Sequence, residues 1–140
     1  MISNVHLFTS ITANYLPKAR VLAESAKRHV PGMKFHLILC DDYPSGCKIS
    51  SEPFDSVINI RELPILGGDQ WIFGHSVVEM CTAVKPFAFK EIIERHEAKK
   101  IFYFDPDTLL LSNIDNLIDR LDNKSILLTP HLTAPENTMD

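Results

Sequence analysis

The stretch Tyr103-Phe104-Asp105-Pro106-Asp107-Thr108 places two carboxylates around a proline at the end of an apolar run. Pro106 fixes its own φ and restricts Asp105 to extended conformations, so the pair is held in place rather than carried on a loose loop. Hard oxygen ligands at this separation suit Mg²⁺ or Mn²⁺, which take one or two protein carboxylates and complete their shells with substrate phosphates. Such an ion would neutralise a diphosphate and stabilise it as a leaving group. One carboxylate could instead bind a ribose hydroxyl. The pattern also closes an ordinary Asx or proline turn, and on spacing alone that is its commoner use.

Strands and helices alternate around these residues. Apolar runs at residues 5–8, 35–40, 57–60 and 101–104 predict four buried strands. Residues 126–129 predict a last strand, and residues 108–111 a short extended piece. Leu16, Ala19, Ala23, Ala26 and Val30 recur at helical spacing, with Asn14 a candidate cap, Pro17 in the first turn and Pro31-Gly32 as the stop. Ser76 and Glu79 have capping-box spacing and open a helical pattern that runs toward His96. Pro86 interrupts it, so the helix kinks there or a second one begins near Lys85. Residues 64–68 read as a turn, and Ile114, Leu117, Ile118 and Leu121 as a short amphipathic helix.

Continuous apolar strands at βαβ spacing predict an α/β fold with a mostly parallel sheet covered on both faces. Ligands of such sheets sit beyond the carboxyl ends of the strands. That directs attention to residues 9–15, Asp41-Asp42, Arg61-Glu62 and residues 105–108.

With these elements in order, Phe102-Tyr103-Phe104-Asp105-Pro106-Asp107-Thr108 resembles the DxD motif of GT-A nucleotide-sugar transferases. Thr82-Ala83-Val84-Lys85-Pro86 resembles the segment ahead of that motif in glycogenin-like enzymes of glycosyltransferase family 8. Thr9-Ser10-Ile11-Thr12-Ala13-Asn14-Tyr15 resembles the family's first nucleoside-holding loop. The likeness runs from about Val5 to Thr129. It implies a three-layer α/β/α GT-A fold, Rossmann-like and truncated at the C-terminus, with residues 1–140 as the donor-binding part of a larger catalytic domain.

The resemblance also implies roles. Asp105 and Asp107 would hold Mn²⁺ or Mg²⁺, with Asp107 also catalytic. Lys85 would meet the donor diphosphate as a catalytic and binding residue. Thr9, Asn14 and Tyr15 would line the nucleoside site. The partners would be a nucleotide sugar, a UDP-hexose, and an unidentified acceptor. In the family a later histidine completes the metal site, and His131 does not match its position. No general base is visible, so retention or inversion of the anomeric centre is left open.

Each residue has a plainer use. Lys85 would otherwise be a helix-surface lysine, Tyr15 a packing aromatic beside a cap, and Asp41 and Asp42 a strand-closing turn. Gly67-Gly68-Asp69-Gln70-Trp71 could form a lid, although anchoring of a loop by Trp71 is the commoner use. The histidines show no His-x-x-x-His spacing, and no Walker loop, GxGxxG or nucleophile elbow is present.

The bulk numbers agree with one ordinary domain: 140 residues, 45% apolar, 23% charged. A net charge of -4 without a basic stripe argues against nucleic acid as partner. Cys40, Cys47 and Cys81 form no zinc or disulfide framework, which favours a reducing compartment. With no signal-peptide pattern and no apolar run of membrane-spanning length, the expected location is cytoplasmic, without a membrane span. A GT-A half with uncovered apolar surface would favour a homodimer. The rival function is a non-catalytic module of the same fold, and a nucleotidyltransferase-like domain is a third reading.

Overall fold

The computed structural model describes residues 4–46 and 48–130; Cys47 and His131 lie outside the described residues. Four strands form one sheet in the order β3-β2-β1-β4, with every neighbouring pair parallel. They are β1 (Val5–Ile11), β2 (Lys34–Leu39), β3 (Ser56–Asn59) and β4 (Lys100–Tyr103). The helices are α1 (Leu16–His29), α2 (Gly68–Phe73), α3 (Val77–Ala83), α4 (Lys85–His96) and α5 (Asp115–Arg120). The protein is thus α/β with an all-parallel sheet, as the alternation of apolar runs predicts.

All seven residues of β1 are buried, because the strand has neighbours on both edges and helices over both faces. Val5, Leu7 and Ile11 pack with Leu16, Leu22, Ala23, Leu37 and Ile118 on the face covered by α1 and α5. Phe8 packs with Ile38, Ile58, Met80, Val84, Ala88 and Ile92 on the face covered by α3 and α4. The strand extends past residue 8 through Thr9 and Ser10, which the sequence suggests are loop. Both side chains fit a central strand, one of them β-branched.

In α1 the buried residues Leu16, Ala19, Leu22, Ala23 and Ala26 make one stripe, with Pro17 in the first turn and Lys27, Arg28 and His29 in the last. Asn14 does not cap it. Asn14 lies in a 3-10 turn (Ala13–Tyr15) ahead of the helix, and the N-cap is Tyr15 without a side-chain bond. The Ser76–Glu79 capping box is present and opens α3. Pro86 stands in the first turn of α4, a separate helix, so the proline starts an element rather than kinking one.

The turn expected at residues 64–68 is present at Leu66 and Gly67 and leads into the short helix α2, with Gly67 at φ 91 as its N-cap. Two expectations are corrected. Residues 126–129 form no strand, and Ile126 and Leu128 are exposed. Residues 108–111 pair with no strand either. Instead Leu110 is buried against the α1 face, and its N–H donates to Ser25 Oγ at 3.2 Å. Ser25 Oγ in turn donates to the Leu22 carbonyl at 2.9 Å. Ser25→Ala strips the acceptor from a buried N–H, and an expected loss of ~1–2 kcal/mol is measurable by urea denaturation. Faster exchange of the Leu110 amide should accompany it.

Candidate functional site

The chain adds β2 and then β3 on one side of β1 and returns to place β4 on the other. The direction of growth therefore reverses between β1 and β4, and parallel sheets open a crevice beyond the carboxyl ends at such a point. Residues 12–15 leave β1 there, and Asp105 follows β4 there.

Tyr103 is the last residue of β4, and its hydroxyl donates to Asp105 Oδ1 at 2.8 Å. Lys85, at the start of α4, sets its Nζ 4.0 Å from the Tyr103 ring centroid and 3.9 Å from Asp105 Oδ1. Ammonium, aromatic face and carboxylate thus form one cluster. Burial is the main cause that pushes the Tyr103 phenol well up, so it stays a donor at neutral pH. Phe8 walls the Tyr103 ring at a centroid distance of 5.2 Å.

Thr108 N–H donates to the Asp105 carbonyl at 3.0 Å, closing a turn with Pro106 and Asp107 at its two central positions. The turn reading of this motif therefore holds. The turn leaves both carboxylates exposed on the rim. They offer oxygen donors of the kind Mg²⁺ or Mn²⁺ takes together with phosphate oxygens. Among the described residues no group of three or more His, Cys, Asp or Glu could hold a metal ion. The donor set here is two exposed carboxylates, and Asp105 Oδ1 is already engaged by Tyr103 and Lys85.

The first loop is folded across the end of β2. Ala13 N–H donates to both Asp41 carboxylate oxygens, at 2.8 and 3.0 Å, and Asn59 Nδ2 donates to the Asp41 carbonyl at 2.9 Å. Burial pushes the Asp41 carboxyl up, partly offset by the Ala13 bond. Asp41 thus positions the loop, the strand-end use rather than a ligand contact. Thr12 Oγ1 donates to Asn14 Oδ1 at 2.6 Å, and Lys18 Nζ lies 4.7 Å from the Tyr15 ring centroid. Asn14 and Tyr15 are exposed at this edge.

Thr9 does not join them. It is 0% exposed, and by strand alternation it shares the α1 face with Leu7 and Ile11. Its Oγ1 is buried without a hydrogen-bond partner among the described residues. The expectation that Thr9 lines a nucleoside site is corrected, since its side chain points into the core.

Behind the rim, Ser10 Oγ donates to the Cys81 carbonyl at 2.6 Å and ties β1 to α3. Cys40 and Cys81 are free thiols, and the hydrogen bond between them raises Cys40 and lowers Cys81. Trp71 packs on Phe87 and His75, at centroid distances of 5.8 and 4.2 Å. It anchors α2 to α4.

Sequence reasoning brought Lys85 and Asp105 to one region, and the structure sets them in contact. It missed Tyr103 as the residue that holds Asp105. Two residues apart at a strand end, their side chains share a face, and that spacing was the available signal.

No model of a known protein family matches the chain, and no curated protein matches it either. No helix among the described residues is long and apolar enough to cross a membrane.

Proposed function

We propose that the chain is the donor-binding part of a GT-A glycosyltransferase of the glycogenin-like kind. It binds a UDP-hexose with Mn²⁺ or Mg²⁺ and passes the sugar to an acceptor. The observation that carries this reading is the meeting of Lys85, Tyr103 and Asp105 at the crevice between β1 and β4. The loop that bears Asn14 and Tyr15 leaves β1 at the same crevice.

Each group then has a task. The exposed loop receives the nucleoside, with Tyr15 offering a flat face for the base. Tyr103 fixes one Asp105 oxygen through its hydrogen bond and leaves the other for ligand or ion. The Lys85 ammonium already lies beside that carboxylate and within reach of an incoming phosphate. Asp107, next along the turn, adds a second carboxylate. The ion, when bound, supplies charge stabilisation to the departing diphosphate. Asp41 keeps the nucleoside loop closed over β2.

Calorimetric titration of UDP and UDP-glucose, with and without Mn²⁺, tests this. Metal-dependent binding is expected in the wild type. Asp105→Ala together with Asp107→Ala should abolish the metal-dependent part, and Lys85→Ala should weaken binding while keeping the metal requirement. Binding that ignores both the metal and the carboxylates would sink the proposal. Tight binding without sugar hydrolysis or transfer would favour the non-catalytic module.

A further inference from the structure

At the amino-terminal edge of the sheet, opposite the proposed donor site, a cavity of about 490 Å³ is lined by residues that include His6, His36, Lys34, Asp55 and His96. His6 is buried and His36 is 1% exposed, and a direct bond joins them, His6 Nδ1 to His36 Nε2 at 2.8 Å. The ring planes lie within 8° of parallel and the centroids are 5.0 Å apart. That is close to the largest separation a contact of this length allows, so the bond runs in line with both rings. Their lone pairs converge on no common point, which excludes a shared metal ion, and no metal-holding group occurs among the described residues.

The remaining partners fix the proton on each nitrogen. Asn4 Nδ2 donates to the Glu97 carbonyl at 2.6 Å, so Asn4 Oδ1 is an acceptor. His6 Nε2, 2.7 Å from that oxygen, must carry a hydrogen. A neutral His6 then has a bare Nδ1, so His36 Nε2 carries the hydrogen between the rings. His36 Nδ1 is bare in turn and accepts from Ser56 Oγ at 2.7 Å. The bonds all run one way: Ser56, His36, His6, Asn4, Glu97. They connect β3, β2, β1 and the end of α4.

One added proton fits on His36 Nδ1 if the Ser56 hydroxyl turns to accept. A second has only His6 Nδ1 to occupy, and there it faces the hydrogen on His36 Nε2. We propose that this chain of side chains is an acid-operated latch, which holds the amino-terminal edge of the sheet together while both imidazoles are neutral and opens when they are protonated.

The surroundings oppose the added charge. β2 contributes Lys34, and His96 at the end of α4 stands 4.4 Å from His36 and 6.4 Å from His6 by ring centroids. Asp55, ahead of β3, is the opposing anion, and it is already engaged by Lys27 of α1 at 2.9 Å and Lys34 at 3.4 Å. Glu91 and Arg95 of α4 pair with each other. The Lys99 and Lys100 amides reach the Asn4 carbonyl. Burial foremost, then His96, lowers both imidazoles, His36 to about 3.

A folded-state value below the unfolded one means the unfolded chain takes up protons first. Stability is fully present above about 6.5 and falls as the pH drops from there toward about 3. Between pH 6.5 and 5.5 the unfolding constant should rise by ~5-fold if His36 alone refuses its proton, and ~30-fold if both do.

Two measurements on the full chain test the latch, and neither depends on the donor site. Long-range ¹H–¹⁵N spectra of the wild type should show His6 and His36 as neutral Nε2–H tautomers at pH 7, with His36 still neutral at pH 5.5. An Nδ1–H tautomer in either ring, or His36 titrating near 6.5 in the folded protein, overturns the proposal. Urea unfolding from pH 7.5 to 5.5 should show the rise in wild type and in His29→Gln, and a smaller rise in His36→Gln. Equal rises in wild type and His36→Gln would also overturn it.

Discussion

Phe8→Ala is expected to cost ~3–5 kcal/mol of unfolding free energy, a large share of the ~5–15 kcal/mol that holds a domain together. Phe8 is fully buried in the central strand. Its ring meets Phe89 edge-on at 4.8 Å and Tyr103 at 5.2 Å by centroids. Removing it opens a void between β1, α4 and β4 that the three elements cannot all close. The Tyr103 ring loses its wall at the same time, so Asp105 loses a fixed partner. Guanidinium unfolding checks the stability loss. In variants that remain folded at low temperature, donor affinity should fall as well.

The second large effect lies on the opposite face. The Glu52 side chain is 5% exposed and accepts from Arg20 Nε and Nη2, both at 2.7 Å, and from the Tyr43 hydroxyl at 2.8 Å. The pair clamps the long connection between β2 and β3 onto α1. Arg20→Ala leaves a buried carboxylate without its cation, and because Arg20 itself is partly solvated the expected cost is ~2–3 kcal/mol. The Arg20 hydrogen bonds are the main cause that lowers Glu52 below its usual 4.5. A lowered carboxyl gives stability that is present above about 4.5 and lost as the pH falls below it. The penalty of Arg20→Ala should therefore be full at pH 7 and shrink in acid. Unfolding curves of both proteins at pH 7 and pH 4 decide this. A penalty independent of pH would mean that lost packing, not the charge pair, sets the cost.

The sequence made some of this legible and hid the rest for identifiable reasons. The four strands of the sheet, α1 and the break at Pro86 follow from apolar periodicity and proline placement. Thr9 and Ser10 misled because hydroxyls read as loop, whereas a central strand under two helical layers buries them. Residues 126–129 misled in the other sense: their β-branched and leucine side chains signal a strand, yet the segment pairs with neither edge strand and Ile126 and Leu128 stay exposed. Arg20–Glu52 and the His6–His36 bond were invisible because each joins residues that only the tertiary fold brings together. The proposed site was half legible. Asp105 and Asp107 stood out by type and spacing and Lys85 through the family resemblance alone, whereas Tyr103 did not, because an aromatic at a strand end ordinarily marks core.

The reversal of strand order would tie ligand binding to the longest loop closure in the sheet. Val5 pairs with Lys100, whereas the β1–β2 and β2–β3 partners lie far closer in sequence. Asn14 and Tyr15 belong to one side of that join, and Lys85 and Asp105 to the other. A ligand held by both sides would act as a fastener across the junction that closes last in sequence terms. At a hundred times its dissociation constant it would add ~2.7 kcal/mol to stability. The same ligand would also shield the β1–β4 amides from exchange with solvent, and it would leave those of β3, two strands away, largely as they were.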